Sequence, residues 1–137
     1  MCIRDRFANL GASYGTAKSA VGISSLAVID PTKIFQALIP IIMAGILGIY
    51  GVIIAVIAAT KVRSDTVDEK DGYKYLGAGL SCGLSALAAG LAIGVAGDAG
   101  VRAYAQTDAI FVGMILILIF AEAIGLYGLI VSIIMIF

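Results

Sequence analysis

The sequence predicts an all-α membrane protein built from two fused transmembrane helical hairpins. Of its 137 residues, 61% are hydrophobic and only 13% are charged, which is too apolar for a soluble domain with one core. Uncharged stretches recur along the chain, and each needs only about 20 residues to cross a hydrocarbon core of about 30 Å. The 17 glycines indicate close approach of helix backbones, because association in lipid depends on packing small residues together.

Charge and composition exclude several classes of function. The formal net charge is zero and the chain has no histidine, so it offers neither a basic surface for nucleic acid nor a histidine switch or metal ligand. The two cysteines, Cys2 and Cys82, stand at the terminus and inside a hydrophobic stretch, which is not the pattern of a disulfide framework. We therefore expect no nucleic-acid partner, no metal and no cofactor.

The beginning of the chain does not fit a complete first span. Residues 1–6 are rich in charge, and residues 7–17 resemble the last turns of a helix of small residues, covering only about 16 Å at about 1.5 Å per residue. We expect residues 1–6 to be a non-native or mis-assembled start and the first helix to be largely missing; a native short segment at the interface is the alternative. Residues 18–33 are predicted to be a connector that ends in a helix-start signal, Asp30-Pro31.

A second span is predicted over residues 34–59, which carry no charge. Pro40 lies inside this span and should kink its helix, because proline cannot donate the usual backbone hydrogen bond. Residues 7–60 would then hold the remnant of the first helix and the second helix, which together form the first hairpin. Residues 61–74 contain four basic and four acidic residues and are expected to form a polar loop between the hairpins.

Residues 75–137 form the second predicted hairpin. Its first helix, residues 75–97, places small residues about one turn apart on one face, which predicts a dense contact between helix backbones. The glycines expected to pack there are Gly79, Gly83, Gly90 and Gly94. Residues 98–108 are expected to be a short polar connector outside the membrane, followed by a last span that reaches the C-terminus.

One acid, Glu122, stands alone in this last span. It lies 12 residues after Ile110 and 15 before Phe137, which places its carboxyl near the middle of the bilayer. A charged side chain there costs roughly 2.5 to 3.5 kcal/mol. We expect the carboxyl to face lipid in its neutral form and to release its proton where a basic group or water reaches it. Glu122 is therefore predicted to carry protons; a buried glutamate that serves assembly alone is the alternative.

The second and fourth predicted helices are copies of one another. A shift of 77 residues lays residues 44–57 over residues 121–134, with six of 14 positions identical. Gly45 then occupies the place of Glu122, so only one copy carries the acid. The chain is therefore predicted to be two hairpins related by a parallel repeat.

Five segments carry a resemblance to a known family. They are LGASYGTAKS, IPIIMAGILGIYG, LGAGLSCGLSALAAGLAIG, GDAGVR and FVGMILILIFAEAIGLYGLIV. Together they resemble the c-type proteolipid of vacuolar-type proton ATPases. The resemblance implies a ring of similar subunits, a stator subunit that supplies an arginine, and a central-stalk subunit that links the ring to ATP hydrolysis elsewhere. It implies that Glu122 is the proton carrier and that Tyr50 reaches its carboxyl with a hydrogen bond.

The resemblance also implies a multi-pass protein of a vacuolar or other endomembrane, with no hydrolytic site in this chain. Sodium-carrying relatives place threonine and glutamine shortly before the second-helix tyrosine, where this chain has Ile46 and Leu47, so protons are the expected cargo.

A pore-forming or junctional channel proteolipid is the alternative function, although a channel needs a polar stripe and Glu122 is the only charge in the middle of a span. An inactive truncated product is a third hypothesis.

Overall fold

The computed structural model describes residues 2–64 and 69–137, and these residues are helical almost throughout. The helices are α1 (Cys2–Ile29), α2 (Ile34–Ala37), α3 (Ile39–Ser64), α4 (Glu69–Gln106) and α5 (Ile110–Ile136), with a 3-10 turn at Pro31–Lys33. The predicted all-α fold is confirmed. Within the described residues, three helical segments are long and apolar enough to cross a membrane, namely Pro31–Arg63, Glu69–Gln106 and Ile110–Ile136.

α1 is longer than the remnant of a first helix that the sequence predicts over residues 7–17. It continues without a break to Ile29, so the prediction of a connector over residues 18–33 is wrong for most of its length. The polar side chains of this segment are compatible with a helix because they bond to it: the hydroxyls of Ser24 and Ser25 donate to the carbonyl of Val21 at 2.8 and 3.1 Å.

The start of α1 lies in the segment that was expected to be foreign to the protein. Residues 2–6 belong to α1, while Met1 lies outside the described residues. The non-native origin of residues 1–6 stays a prediction.

The irregularity predicted at Pro40 is a break between α2 and α3. The carbonyl of Leu38 accepts hydrogen bonds from the amides of both Ile41 and Ile42, at 3.1 and 3.2 Å. Proline has no N–H to donate and its ring clashes with the preceding turn, so the regular ladder stops just before it. Pro40 itself is fully buried, and the break therefore lies inside the helical bundle.

The connectors are shorter than predicted. α4 continues to Gln106, which leaves only residues 107–109 of the connector expected over residues 98–108. Asp98 stays in the helix because the guanidinium of Arg102, one turn later, donates through Nε to its carboxylate at 2.7 Å. α3 and α4 also extend into the polar loop expected over residues 61–74, so it is helical at both ends; residues 65–68 lie outside the described residues.

The long helices form a four-helix bundle around the contact between α1 and α4, and α5 packs on α4 while α3 packs against the other three. α1 and α4 are parallel, since a Cβ at Gly11 would lie 2.7 Å from Cα of Leu87 and one at Gly22 would lie 3.0 Å from Cα of Asp98. The parallel arrangement of equivalent helices is the one that the internal repeat predicts.

The predicted glycine stripe of α4 faces α1 at its centre. A Cβ at Gly90 would lie 2.6 Å from Cα of Gly11, and one at Gly94 would lie 3.1 Å from Cα of Gly15. These distances leave no room for side chains, which is how small residues bring helix backbones together in a membrane. Gly79 and Gly83 are buried on the same helix.

Candidate functional site

α5 presents a single inward face that carries the candidate site. Its buried residues recur every three or four positions, and they are Met114, Leu118, Ala121, Glu122, Gly125, Gly128, Ser132 and Ile136. This spacing is one face of an α-helix. Glu122 lies 12 residues after the first residue of α5 and 14 before its last, or about 18 and 21 Å from the two ends. The carboxyl is therefore near the middle of the span, as predicted.

The Glu122 side chain points into the bundle. It is only 7% exposed, so the expectation that its carboxyl faces lipid is wrong within the single chain. The reason is its place beside Ala121 and Gly125, small residues through which α5 packs on the bundle. Both carboxyl oxygens are buried, and neither has a hydrogen-bond partner among the residues that the structure describes.

Gly125 makes room for side chains of α3 and α4 next to Glu122. A Cβ at Gly125 would lie 2.6 Å from Cδ2 of Leu47, 3.5 Å from Cβ of Ala89 and 3.7 Å from Cε2 of Tyr50. Because glycine has no Cβ, these groups can approach the α5 backbone one turn from the acid. The site thus lies where α3, α4 and α5 meet, next to apolar atoms of Leu47 and Ala89.

The structure brings Tyr50 and Glu122 together but does not join them by a hydrogen bond. A Cβ at Gly125, one turn from Glu122, would lie 3.7 Å from Cε2 of Tyr50, although neither carboxyl oxygen has a described partner at hydrogen-bond distance. The hydrogen bond implied by the resemblance therefore stays a prediction. Tyr127, by contrast, is 67% exposed on the outer side of α5.

Sequence analysis missed Ser132, which fastens α5 to α4. Its hydroxyl is fully buried and lies 2.6 Å from the carbonyl oxygen of Ala78 and 2.7 Å from that of Gly128. Close to it, the Ser85 side chain occupies the space that a side chain at Gly128 would need. The available signal was a hydroxyl in an apolar span, 10 residues after Glu122, because such groups bond across helices in a membrane.

A second missed cluster joins the connectors of the two hairpins. Nζ of Lys33 lies 2.5 Å from Oδ1 of Asp108 and 3.6 Å from Oδ2 of Asp30, and it stands 5.2 Å above the Tyr104 ring. Hydrogen bonds from Thr32 hold the pKa of Asp30 below its usual range. The cluster aligns the two hairpins at the end of the bundle that carries both connectors.

Comparison with known proteins agrees with this architecture. The sequence profile of the ATP synthase C-subunit family matches residues 6–58 and, separately, residues 76–135. The chain belongs to this family. One match falls on each hairpin, which supports the predicted duplication.

Curated relatives extend over nearly the whole chain. The 16 kDa proteolipid c-subunit of the V-type proton ATPase of Nephrops norvegicus is 58% identical over 128 residues, or 93% of this chain and 80% of the relative. The human protein of the same name is 56% identical over 129 residues, or 94% of this chain and 83% of the relative. The protein of the same name in Ascaris suum is 57% identical over 133 residues, or 94% of this chain and 81% of the relative. The resemblance inferred from the sequence is confirmed, and the chain is an integral membrane protein.

Proposed function

We propose that the chain is a rotor-ring subunit in the membrane sector of a vacuolar-type ATPase, and that it carries protons on Glu122 as the ring turns past a stator. Family membership and relatives named as V-type proton ATPase subunits support the complex. The residue assignment rests on one observation, the enclosed and unpartnered carboxyl in the middle of α5.

That arrangement suits a neutral carboxylic acid. An ionised carboxylate in an enclosed apolar site costs several kcal/mol unless a cation or hydrogen-bond donors compensate it. Among the described residues no cation pairs with Glu122, and its oxygens have no donor at hydrogen-bond distance. In the single chain the Glu122 carboxyl therefore carries its proton. The group that triggers its release must come from outside the chain.

The release step needs a positive charge and water. A stator arginine that reaches the carboxyl would stabilise the anion, and an aqueous path would take up the proton. When the ring carries the subunit away from that arginine, the lone carboxylate becomes costly again and binds a proton from the other side. Tyr50, which lies beside this part of α5, moves closer and donates to the carboxylate during this exchange.

The chain's contribution to ATP-driven transport is binding and movement of the proton. Hydrolysis takes place in other subunits, and a central-stalk subunit transmits the rotation to the ring. The ring is built from copies of this chain or from similar subunits, and its membrane is that of the vacuole or of another endomembrane compartment.

Replacement of Glu122 by glutamine tests the assignment. Glutamine keeps the size and shape of the side chain but cannot exchange a proton, so Glu122→Gln should assemble and yet reduce ATP-driven acidification of vesicles to background. Glu69→Gln is the matched control, because it removes an exposed carboxyl at the start of α4. Acidification at the parent rate by vesicles that contain only Glu122→Gln would refute the proton-carrier role.

A further inference from the structure

A shallow groove between the ends of α1 and α4 lies well away from Glu122. It has a volume of about 220 Å³ and is lined by Ser25, Leu26, Ile29, Arg102, Ala105 and Gln106. Three of these side chains are apolar, and the other three carry a hydroxyl, a guanidinium and an amide. A groove of this composition can hold a ligand that is part polar and part apolar.

Arg102 supplies hydrogen-bond donors that the fold does not use. Its Nε–H donates to Oδ1 of Asp98 at 2.7 Å, which is its one partner among the described residues, and its side chain is 50% exposed. A guanidinium has five N–H groups, so the four on its two terminal nitrogens are available. The bond to Asp98 holds the planar group in place, which favours paired contacts to an anion.

Arg102 is the charged side chain that lines the groove, and its carboxylate partner has a second cation beside it. Asp98 is only 13% exposed and also pairs with Lys18, whose Nζ lies 3.1 Å from Oδ2. The other described charges at this end of the bundle, Lys33, Asp30 and Asp108, pair with one another. An anion that entered the groove would therefore meet the free N–H groups of a guanidinium whose one carboxylate partner is shared with Lys18.

The depth of the groove matches the surface of the hydrocarbon core. A Cβ at Gly100 would lie 3.3 Å from Cβ of Met114, which places these residues at one level. Met114 is eight residues before Glu122, and Arg102 is two residues beyond Gly100, so Arg102 lies about 15 Å from the level of Glu122. Half of a hydrocarbon core of about 30 Å is the same distance. With Glu122 at the midplane, Arg102 stands where lipid phosphates begin.

We propose that this groove binds the phosphate of an anionic phospholipid from the leaflet on the connector side. The Arg102 guanidinium contacts the phosphate, the Gln106 amide donates a further hydrogen bond, and the start of an acyl chain packs on Leu26 and Ile29. Basic pockets between transmembrane helices recognise lipid headgroups in this way. The site requires only the bundle and its depth in the bilayer, and it does not depend on the proton-carrier role of Glu122.

Native mass spectrometry of the full-length protein in neutral detergent tests the proposal. Phosphatidylglycerol and phosphatidylcholine with identical acyl chains are titrated separately, and the bound lipid per subunit is counted. We expect one phosphatidylglycerol per subunit, bound about tenfold more tightly than phosphatidylcholine, because the quaternary ammonium group of phosphatidylcholine would bring a second cation beside Arg102. Equal binding of the two lipids would overturn the proposal.

Variants locate the lipid. Arg102→Gln should abolish the preference for phosphatidylglycerol, whereas Lys74→Gln should not change it, because Lys74 also pairs with an acid on its own helix but lies at the opposite end of α4. Gln106→Ala leaves the Asp98 pair intact and should weaken phosphatidylglycerol binding about threefold. Unchanged binding in either groove variant would place the lipid elsewhere. Displacement of the lipid by millimolar inorganic phosphate would identify a soluble anion as the occupant and also overturn the proposal.

Discussion

Replacement of Gly90 probes the contact that holds the bundle together. The Cβ of an alanine at this position would lie 2.6 Å from Cα of Gly11, whereas carbon atoms pack best about 3.5 to 4.0 Å apart. α1 and α4 would have to separate by about 1 Å, and other contacts along the pair would weaken with them. Overpacking of this kind costs about 1 to 3 kcal/mol, and Gly90→Leu should cost more and prevent ring assembly.

Whether Gly90→Ala raises or lowers the free energy of unfolding distinguishes packing from helix propensity. Alanine in place of a helical glycine normally stabilises a helix by about 0.5 to 1 kcal/mol. Gly113→Ala is the matched control because a Cβ at Gly113 would meet no described atom within 4 Å. We expect Gly113→Ala to unfold at or above the parent midpoint in detergent, and Gly90→Ala to unfold below it.

The assay combines two measurements on the same samples. Circular dichroism during denaturant titration gives the free energy of unfolding of the subunit, and native gels report whether rings form. Since the Gly90 contact lies within one chain, the loss of subunit stability should precede the loss of rings. Gly90→Ala that is as stable as Gly113→Ala would refute the packing argument.

Further predictions concern the site and its support. Carbodiimides react with protonated carboxyls, so they should label Glu122 and spare the exposed Asp108; preferential labelling of Asp108 would contradict an enclosed, neutral acid. Tyr50→Phe should increase labelling of Glu122 at alkaline pH, because a donor to the carboxylate favours the unreactive anion, and parent-like labelling would remove Tyr50 from the site. Ser132→Ala should lower the free energy of unfolding by about 0.6 to 1.7 kcal/mol, whereas Ser24→Ala, which loses a bond within α1 only, should change it little.

The sequence predicted those features that depend on local pattern. Long uncharged stretches specify membrane-spanning helices because each must satisfy its own backbone in lipid. A lone acid in such a stretch points to function because placing its charge in the bilayer costs free energy. Glu122 was therefore found without any knowledge of its neighbours. The duplication was equally accessible, because repeated residues are visible in the sequence itself.

The predicted connectors were wrong where polarity was taken to mean the end of a helix. Lys18 and Asp98 lie inside helices because the two charges compensate each other across the contact between α1 and α4. Lys33 and Asp108 likewise meet across the two connectors. Such partners are far apart in sequence, and their pairing follows from how the helices pack.

The sequence predicted the depth of the Glu122 carboxyl, but only the tertiary structure decided the direction in which its side chain points. Position along α5 determined the depth of the carboxyl, because the rise per residue is fixed. α5 is apolar on every side, so its periodicity could not say which side faces the bundle. The contacts of α5 with α3 and α4 decided that, since small residues such as Ala121 and Gly125 allow close packing only on the face that also carries Glu122.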